Sequence, residues 1–372
     1  MSNSRPTLSV CILARSSRSG LERLLNEIDG VADEIVIGVD AASTDDTLAI
    51  ATRRADVVFR FEHVGPPVRA RLLILEHARG DWILSLDEDE GLDAAFAPLL
   101  PELIDQSRYT HYWLPRKWIV DRQPLTHVHA APWFPDWQLR LFRRDPRRVW
   151  HSGIVHSGYR VIGIGCHEHR TAILHYEPVT LRPDERQAKI DYYREHGSEG
   201  KSDAAYGPMP AGSRRETTSG AAEHSRSRVA ARAGRVVPGI LPVPPVPAAP
   251  PWGASLNVTM PHEVVAGGAV LVELNARNTG QLVWESSAAW PRLNLSFHVR
   301  RANGEVVRFD GDRLALPRSV EPGDAAVFLI NFHAPSEPGD YIIEWDFVSE
   351  GECWFADCGN STLKTMLRVV TG

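Results

Sequence analysis

The chain has 372 residues, with 41 Lys and Arg against 47 Asp and Glu and a formal net charge of −6, which excludes a basic nucleic-acid binder. Hydrophobic residues make up 43% and charged residues 24%, which excludes a wholly disordered chain and predicts one or more packed cores. The four cysteines, Cys11, Cys166, Cys353 and Cys358, are too scattered for a disulfide framework or a four-ligand zinc site and read as free thiols of a reducing compartment. No apolar signal segment follows Met1 to Leu8, and the apolar stretch Val236 to Trp252 carries too many prolines for a membrane helix. The expected location is cytoplasmic, with no transmembrane segment and with peripheral membrane contact left open.

Short apolar runs alternate with amphipathic stretches over the first eighty-odd residues, the mark of βα units and a largely parallel sheet. Leu8 to Leu13 predicts a buried strand, Leu21, Leu24, Leu25 and Ile28 a helix face, and Glu34 to Val39 a second strand. Ser43 and Asp46 read as an N-cap with its acidic partner, and Asp56 to Phe61 as the next strand. Pro66-Pro67 opens a helix that Gly80 closes, and Trp82 to Leu86 is a strand running into Asp87-Glu88-Asp89-Glu90. After a short helix near Ala94 to Ile104 the pattern turns antiparallel, with strands at Thr110 to Val120, Trp137 to Arg143 and Ala172 to Tyr176, and a polar helix over Pro183 to His196.

Residues 198–253 show no periodicity, only Gly, Ser, Arg, Ala and then a Pro-rich run, and are expected to be a flexible, disordered linker between residues 1–197 and 254–372. From residue 254 onward short alternating runs separated by Gly-Gly, Asn-Gly and Pro-Gly turns predict an all-β sandwich. Within it, Tyr341, Ile343, Trp345 and Phe347 share one face, with Glu344 and Asp346 on the other, so Trp345 is expected in the core.

Open α/β sheets bind ligands at the carboxyl ends of their strands. Asp87 and Asp89 end one predicted strand and suit a shared hard cation, Mg²⁺ or Mn²⁺, the alternative being a solvated acidic turn. Asp40 ends another strand and suits hydrogen bonding to a base or ribose. Seven histidines between His127 and His175 form no H-E-x-x-H frame and are expected to be ordinary interior or surface residues.

In order along the chain, Leu8 to Leu13, Asp33 to Asp40, Ser43-Thr44-Asp45-Asp46-Thr47, Ala70-Arg71, Gly80 to Glu90, Phe134 to Arg143 and Ile173 to Tyr176 resemble the family 2 glycosyltransferases, in particular the lipopolysaccharide-core glucosyltransferase branch. The resemblance covers Leu8 to about His196. It implies a GT-A fold, a nucleotide-diphosphate sugar donor, a glycan, glycolipid or small-molecule acceptor, and inverting transfer assisted by Mn²⁺ or Mg²⁺. It also implies Asp40 on the base, Arg71 on the nucleotide or diphosphate, and Asp87 and Asp89 as the element carrying ribose and metal. Asn278-Thr279-Gly280, Asp310 to Arg313 and Glu350-Gly351 with Trp354-Phe355 resemble immunoglobulin-like accessory domains.

Two positions depart from the branch: Leu72 replaces its usual Asn, and Ser157 replaces its usual Glu. An inverting transferase needs a base for the acceptor proton. Asp136 is the expected base, with His156 behind it and Glu168 as an outsider. Ser157 also leaves a second function open, a catalytically degenerate adaptor that binds nucleotide sugar or glycan. A sugar-nucleotide pyrophosphorylase is set aside because Ala14 to Gly20 holds a single glycine where that class needs a phosphate loop.

Overall fold

The computed structural model describes residues 5–63, 70–105, 108–151, 158–195, 212–218, 220, 232, 234–244, 251–286 and 289–372. They fall into two compact units. One comprises Met1–Arg144, His151–Tyr159 and Gly165–Val246, the other Asp145–Trp150, Arg160–Ile164 and Pro247–Gly372.

The first unit begins with β1 (Leu8–Ala14), a seven-residue strand buried throughout, as a central parallel strand must be. Helix α1 (Arg18–Glu27) turns Leu21, Leu24 and Leu25 onto the sheet. Strand β2 (Glu34–Asp40), helix α2 (Thr47–Arg54) and strand β3 (Val57–Phe61) follow. Ser43 does not cap α2. Its hydroxyl accepts from Ser16 N–H, and Asp45 Oδ1 takes the Thr47 N–H at 3.0 Å instead. Helix α3 (Arg71–His77) ends at Ala78, so Gly80 is not its cap; a Cβ there would lie 2.6 Å from Ser9 N, and the close approach to β1 requires glycine.

Next come β4 (Trp82–Asp87), β5 (Glu90–Leu92), α4 (Phe96–Asp105), β6 (His111–Arg122), β7 (Leu125–Val128) and β8 (Asp136–Arg143). Beyond β9 (Val149–His151), β10 (Tyr159–Val161), β11 (Gly165–His167) and β12 (Ile173–His175) lie helices α5 (Glu177–Thr180) and α6 (Pro183–Glu195). The sheet is parallel across β3-β2-β1-β4, and antiparallel where β8 joins β4 to β6 and β6 pairs with β7. The expected mostly parallel sheet therefore holds for the half that carries β1 to β4.

The linker expectation is corrected in part. Within 198–253, β13 (Arg215–Thr217) pairs antiparallel with β7, and β14 (Arg235–Leu241) pairs parallel with β3. Both add to strands that otherwise present an unpaired edge. Pro238 is tolerated in β14 because the ladder shifts register between Val236 and Ile240, where Gly239 has φ +80°. Periodicity did not reveal β14 because nearly all of its residues stay exposed or half-exposed.

From residue 254 onward the described residues of the second unit form two sheets. One holds Ala254–Thr259, Ala269–Asn278 and Ala325–His333; the other is built on Gly339–Ser349 between Leu293–Arg301 and Leu363–Val370. Their inner faces meet through Phe297 on Phe332 at 5.2 Å and Phe328 on Phe347 at 6.0 Å, ring centre to ring centre. Tyr341, Ile343, Trp345 and Phe347 are all buried, as the alternation predicts. Asp346, on the opposite face, is buried too, because its carboxylate accepts the N–H groups of Phe347 and Ala356.

Candidate active site

Parallel register brings the acidic strand ends together. Leu13 of β1 pairs with Asp87 of β4, and Ala14 with Val39, so Arg15, Asp40 and Asp87 emerge at one end of the sheet. A cleft there is lined by Ala14, Arg15, Phe61, Arg71, Asp87 and Glu88. Asp40 lies behind it, buried, with Oδ1 on the Ala42 N–H at 2.8 Å and Oδ2 2.8 Å from His63 Nδ1 and 3.7 Å from Arg15 Nε.

Asp87 is gripped from both sides. Arg71 Nη2 donates to its Oδ1 at 2.5 Å and Arg140 Nη2 to its Oδ2 at 2.8 Å. Burial alone would raise Asp87, but the two guanidiniums outweigh it and bring it down to about 2. Both oxygens of Asp87 accept from arginine. Arg71 is buried and held by Ser85 Oγ at 3.1 Å and by Asp87, and it lines the cleft together with the half-exposed Arg15.

Charge continues into the antiparallel half. Arg140 Nη2 also donates to Glu90 Oε1 at 2.6 Å, Arg116 Nη1 lies 3.6 Å from the same oxygen, and Arg116 Nε donates to Asp136 Oδ2 at 2.7 Å. Trp118 Nε1 and Gln138 Nε2 donate to the two oxygens of Asp136 at 3.0 and 2.8 Å. Burial works to raise Asp136, yet Arg116 and these donors hold it below the usual carboxylate range. Alternate carboxylates and guanidiniums thus run Asp87, Arg140, Glu90, Arg116, Asp136. Pairing of this kind is what makes buried charge tolerable.

Asp89 faces a different set of groups. His175 Nε2 lies 3.4 Å from Asp89 Oδ2 and 3.8 Å from Glu177 Oε2, and Lys189 contacts both carboxylates. Burial opposes ionisation of Asp89, but His175 and Lys189 prevail and hold it well below its ordinary value. Glu88, between the two aspartates, is pushed up to about 8 by burial and by the neighbouring Asp89 and Asp87 charges. Asp89, His175 and Glu177 bring one ligand atom each within 4.8 Å of one another, so these residues could hold a divalent cation.

Sequence reasoning did not find Glu90, Arg116, Arg140, His175 or Glu177. The signal was in the strands: Asp136, Gln138 and Arg140 alternate on one face of β8, and Arg116 stands opposite Asp136 in the ladder. His156 and Ser157 lie outside the described residues. Glu168 is paired with Arg170 at 2.7 Å, in contact with none of the charges above.

The model of the family described as glycosyl transferase family 2 matches residues 9–163. That stretch is a family 2 glycosyltransferase domain. The chain is therefore a glycosyltransferase, and its parallel β3-β2-β1-β4 sheet with an antiparallel neighbour agrees with a GT-A fold. It is 29% identical over 195 residues to the lipopolysaccharide core biosynthesis glycosyltransferase LpsC of Rhizobium meliloti, covering 50% of this chain and 68% of that one. An uncharacterized glycosyltransferase of Rickettsia conorii is 31% identical over 111 residues, 28% of this chain and 38% of that protein. Among solved structures, S. aureus TarS aligns over 98% of this chain and 77% of its own at 11% identity with a TM-score of 0.35. No helix among the described residues is long and apolar enough to cross a membrane.

Proposed function

We propose that this glycosyltransferase transfers a sugar, with inversion, from a nucleotide-diphosphate donor to a glycan, glycolipid or small-molecule acceptor, on the chemistry of cell-envelope glycans. The observation that carries the reading is the run of paired charges from Asp87 to Asp136, which ties the donor-side strand end to a carboxylate on the antiparallel half. In the proposed arrangement Arg15 meets the donor's phosphates at the cleft, and Asp40 reads the nucleotide from behind it, once His63 gives up its hydrogen bond. Arg71 and Arg140 keep Asp87 ionised and fixed in orientation, so it can accept hydrogen bonds from the ribose without reorganising. Mn²⁺ or Mg²⁺, held by Asp89 with His175 and Glu177, would supply charge neutralisation to the departing nucleotide diphosphate. The imidazole in that set favours Mn²⁺ over Mg²⁺.

Asp136 is the proposed acceptor base. It is ionised at neutral pH, as a base must be, and Arg116, Trp118 and Gln138 fix its orientation. It takes the acceptor hydroxyl proton as that oxygen attacks the anomeric carbon and the nucleotide diphosphate leaves. Catalysis is assigned to the first unit, and the second is proposed as an immunoglobulin-like accessory domain.

Asp136→Asn tests the assignment. Transfer should fall by roughly 10²–10⁴-fold, the scale of lost general-base catalysis, while calorimetric binding of the preferred nucleotide sugar with Mn²⁺ stays unchanged. Retained turnover in this variant together with its loss in His156→Ala would move the role to the histidine.

A further inference from the structure

We propose that His127, His129 and Glu216 form a second metal site, separate from Asp89, that takes Zn²⁺ and clips β13 onto the sheet. The ladder explains why these three meet. His127 and His129 are two residues apart on an extended chain and so share a face. Glu216 is the antiparallel partner of His127, and the ladder continues to the His129 N–H, which donates to Arg214 O at 2.8 Å. One ligand atom from each of the three lies within 4.8 Å of the others.

Burial is the independent observation. His127 is 3% exposed, yet neither of its ring nitrogens makes a hydrogen bond of normal geometry. Buried imidazoles ordinarily find partners, and an orphaned one aimed at a second histidine and a carboxylate has the arrangement a metal completes. His129 Nδ1 already lies 2.9 Å from Glu216 Oε2, while Phe134 packs on both rings at 5.2 and 4.6 Å and fixes their planes. Lys117 is the nearby cation that would oppose a metal; it is engaged by Asp93 at 3.5 Å and by Thr218 at 2.8 Å.

Donor chemistry separates the two sites. Two imidazoles with one carboxylate suit Zn²⁺ and leave a coordination position for solvent, whereas the carboxylate-rich set at Asp89 suits a harder cation. Closing three ligands onto one ion draws them nearer than the present spread, so binding should tighten the β7–β13 pair. That pair holds Thr218 against Lys117, with Gly220 O accepting from Ala94 N–H at 3.0 Å. The proposed role is structural: a metal staple on a short edge strand.

The test uses the full chain, stripped with chelator and titrated with Zn²⁺, and separately with Co²⁺ as a visible-absorption probe, in millimolar Mg²⁺ without nucleotide. Wild type and Asp89→Asn should each bind one Zn²⁺ that Mg²⁺ does not displace. His129→Gln and Glu216→Gln should each lose at least about tenfold in Zn²⁺ affinity, the scale of a damaged metal site. Zn²⁺ should also slow proteolysis near residues 212–218 in wild type and not in Glu216→Gln. Absence of a Zn²⁺ equivalent in wild type, its loss in Asp89→Asn, or unchanged affinity in Glu216→Gln would overturn the proposal. Glu216 is partly exposed, so its Gln variant carries the test even where His129→Gln fails to fold. The catalytic reading is tested by Asp136→Asn turnover and stands or falls separately.

Discussion

The two units handle charge in opposite ways. In the first, Asp87, Glu90, Arg116 and Arg140 sit together largely out of water, each satisfied by the next. In the second, the interior is Phe297, Phe332, Trp345 and Phe347, and ion pairs such as Arg368 with Asp340 lie on the surface. A hydrophobic interior stabilises by removing apolar area from water, whereas a buried charge network at best breaks even. The proposed nucleotide-diphosphate site would need such fixed charges in the first unit, and the second has no such constraint.

The largest expected effects come from removing one member of each interior. Arg140→Met leaves Asp87 and Glu90 short of a partner and should destabilise by about 3–5 kcal/mol in urea unfolding at pH 7. Trp345→Ala should cost about 3–5 kcal/mol by creating a cavity. What separates them is pH: the Arg140 penalty should shrink as the pH falls towards 4, and the Trp345 penalty should not. Equal pH dependence in the two variants would break the contrast.

Two carboxylates sharpen it further. Asp87 has a folded value of about 2, below the unfolded value of roughly 3.9, so its contribution is complete above pH 4 and is lost as the pH falls towards 2. Burial raises Asp346 to about 6, so its contribution is complete below about pH 4 and is lost as the pH rises through 6. Asp346→Asn should therefore flatten the pH dependence of stability between 4 and 6, while Asp87→Asn removes the acid-side loss below 4. Thermal melts from pH 2 to 8 check both.

Glu88 carries the widest shift of the three carboxylates. Its folded value of about 8 lies above the unfolded one, so its contribution is present at pH 4 and lost as the pH rises through 8. Glu88→Gln should be more stable than wild type at pH 9 and indistinguishable below about pH 4, a difference read from melting temperatures. Smallest of all, Arg368→Gln should change stability by less than about 0.5 kcal/mol, because its ion pair with Asp340 is solvent-exposed.

Much of this protein was legible along the chain. β1, β2, β3 and β4 are continuous apolar runs, and each appears within a residue or two of its predicted span. Trp345 reads as core because every second residue beside it is apolar. Acidic strand ends at Asp40 and Asp87 are equally plain, since strand direction alone decides which end they occupy. β13 and β14 were hidden because they pair through the main chain and leave their side chains exposed, which removes the alternation that periodicity detects.

The roles inside the site were not in the sequence. Asp87 and Asp89 look interchangeable in Asp87-Glu88-Asp89, yet one meets Arg71 and Arg140 and the other meets His175 and Lys189. Those partners arrive from α3, β8, β12 and α6, elements distant in sequence that only the packed sheet brings within hydrogen-bond reach. Local pattern determined where the strands run and which end holds acid, because period and direction are properties of a segment. Tertiary structure decided which carboxylate pairs with arginine and which with histidine and lysine, because a charge is assigned by the groups that surround it.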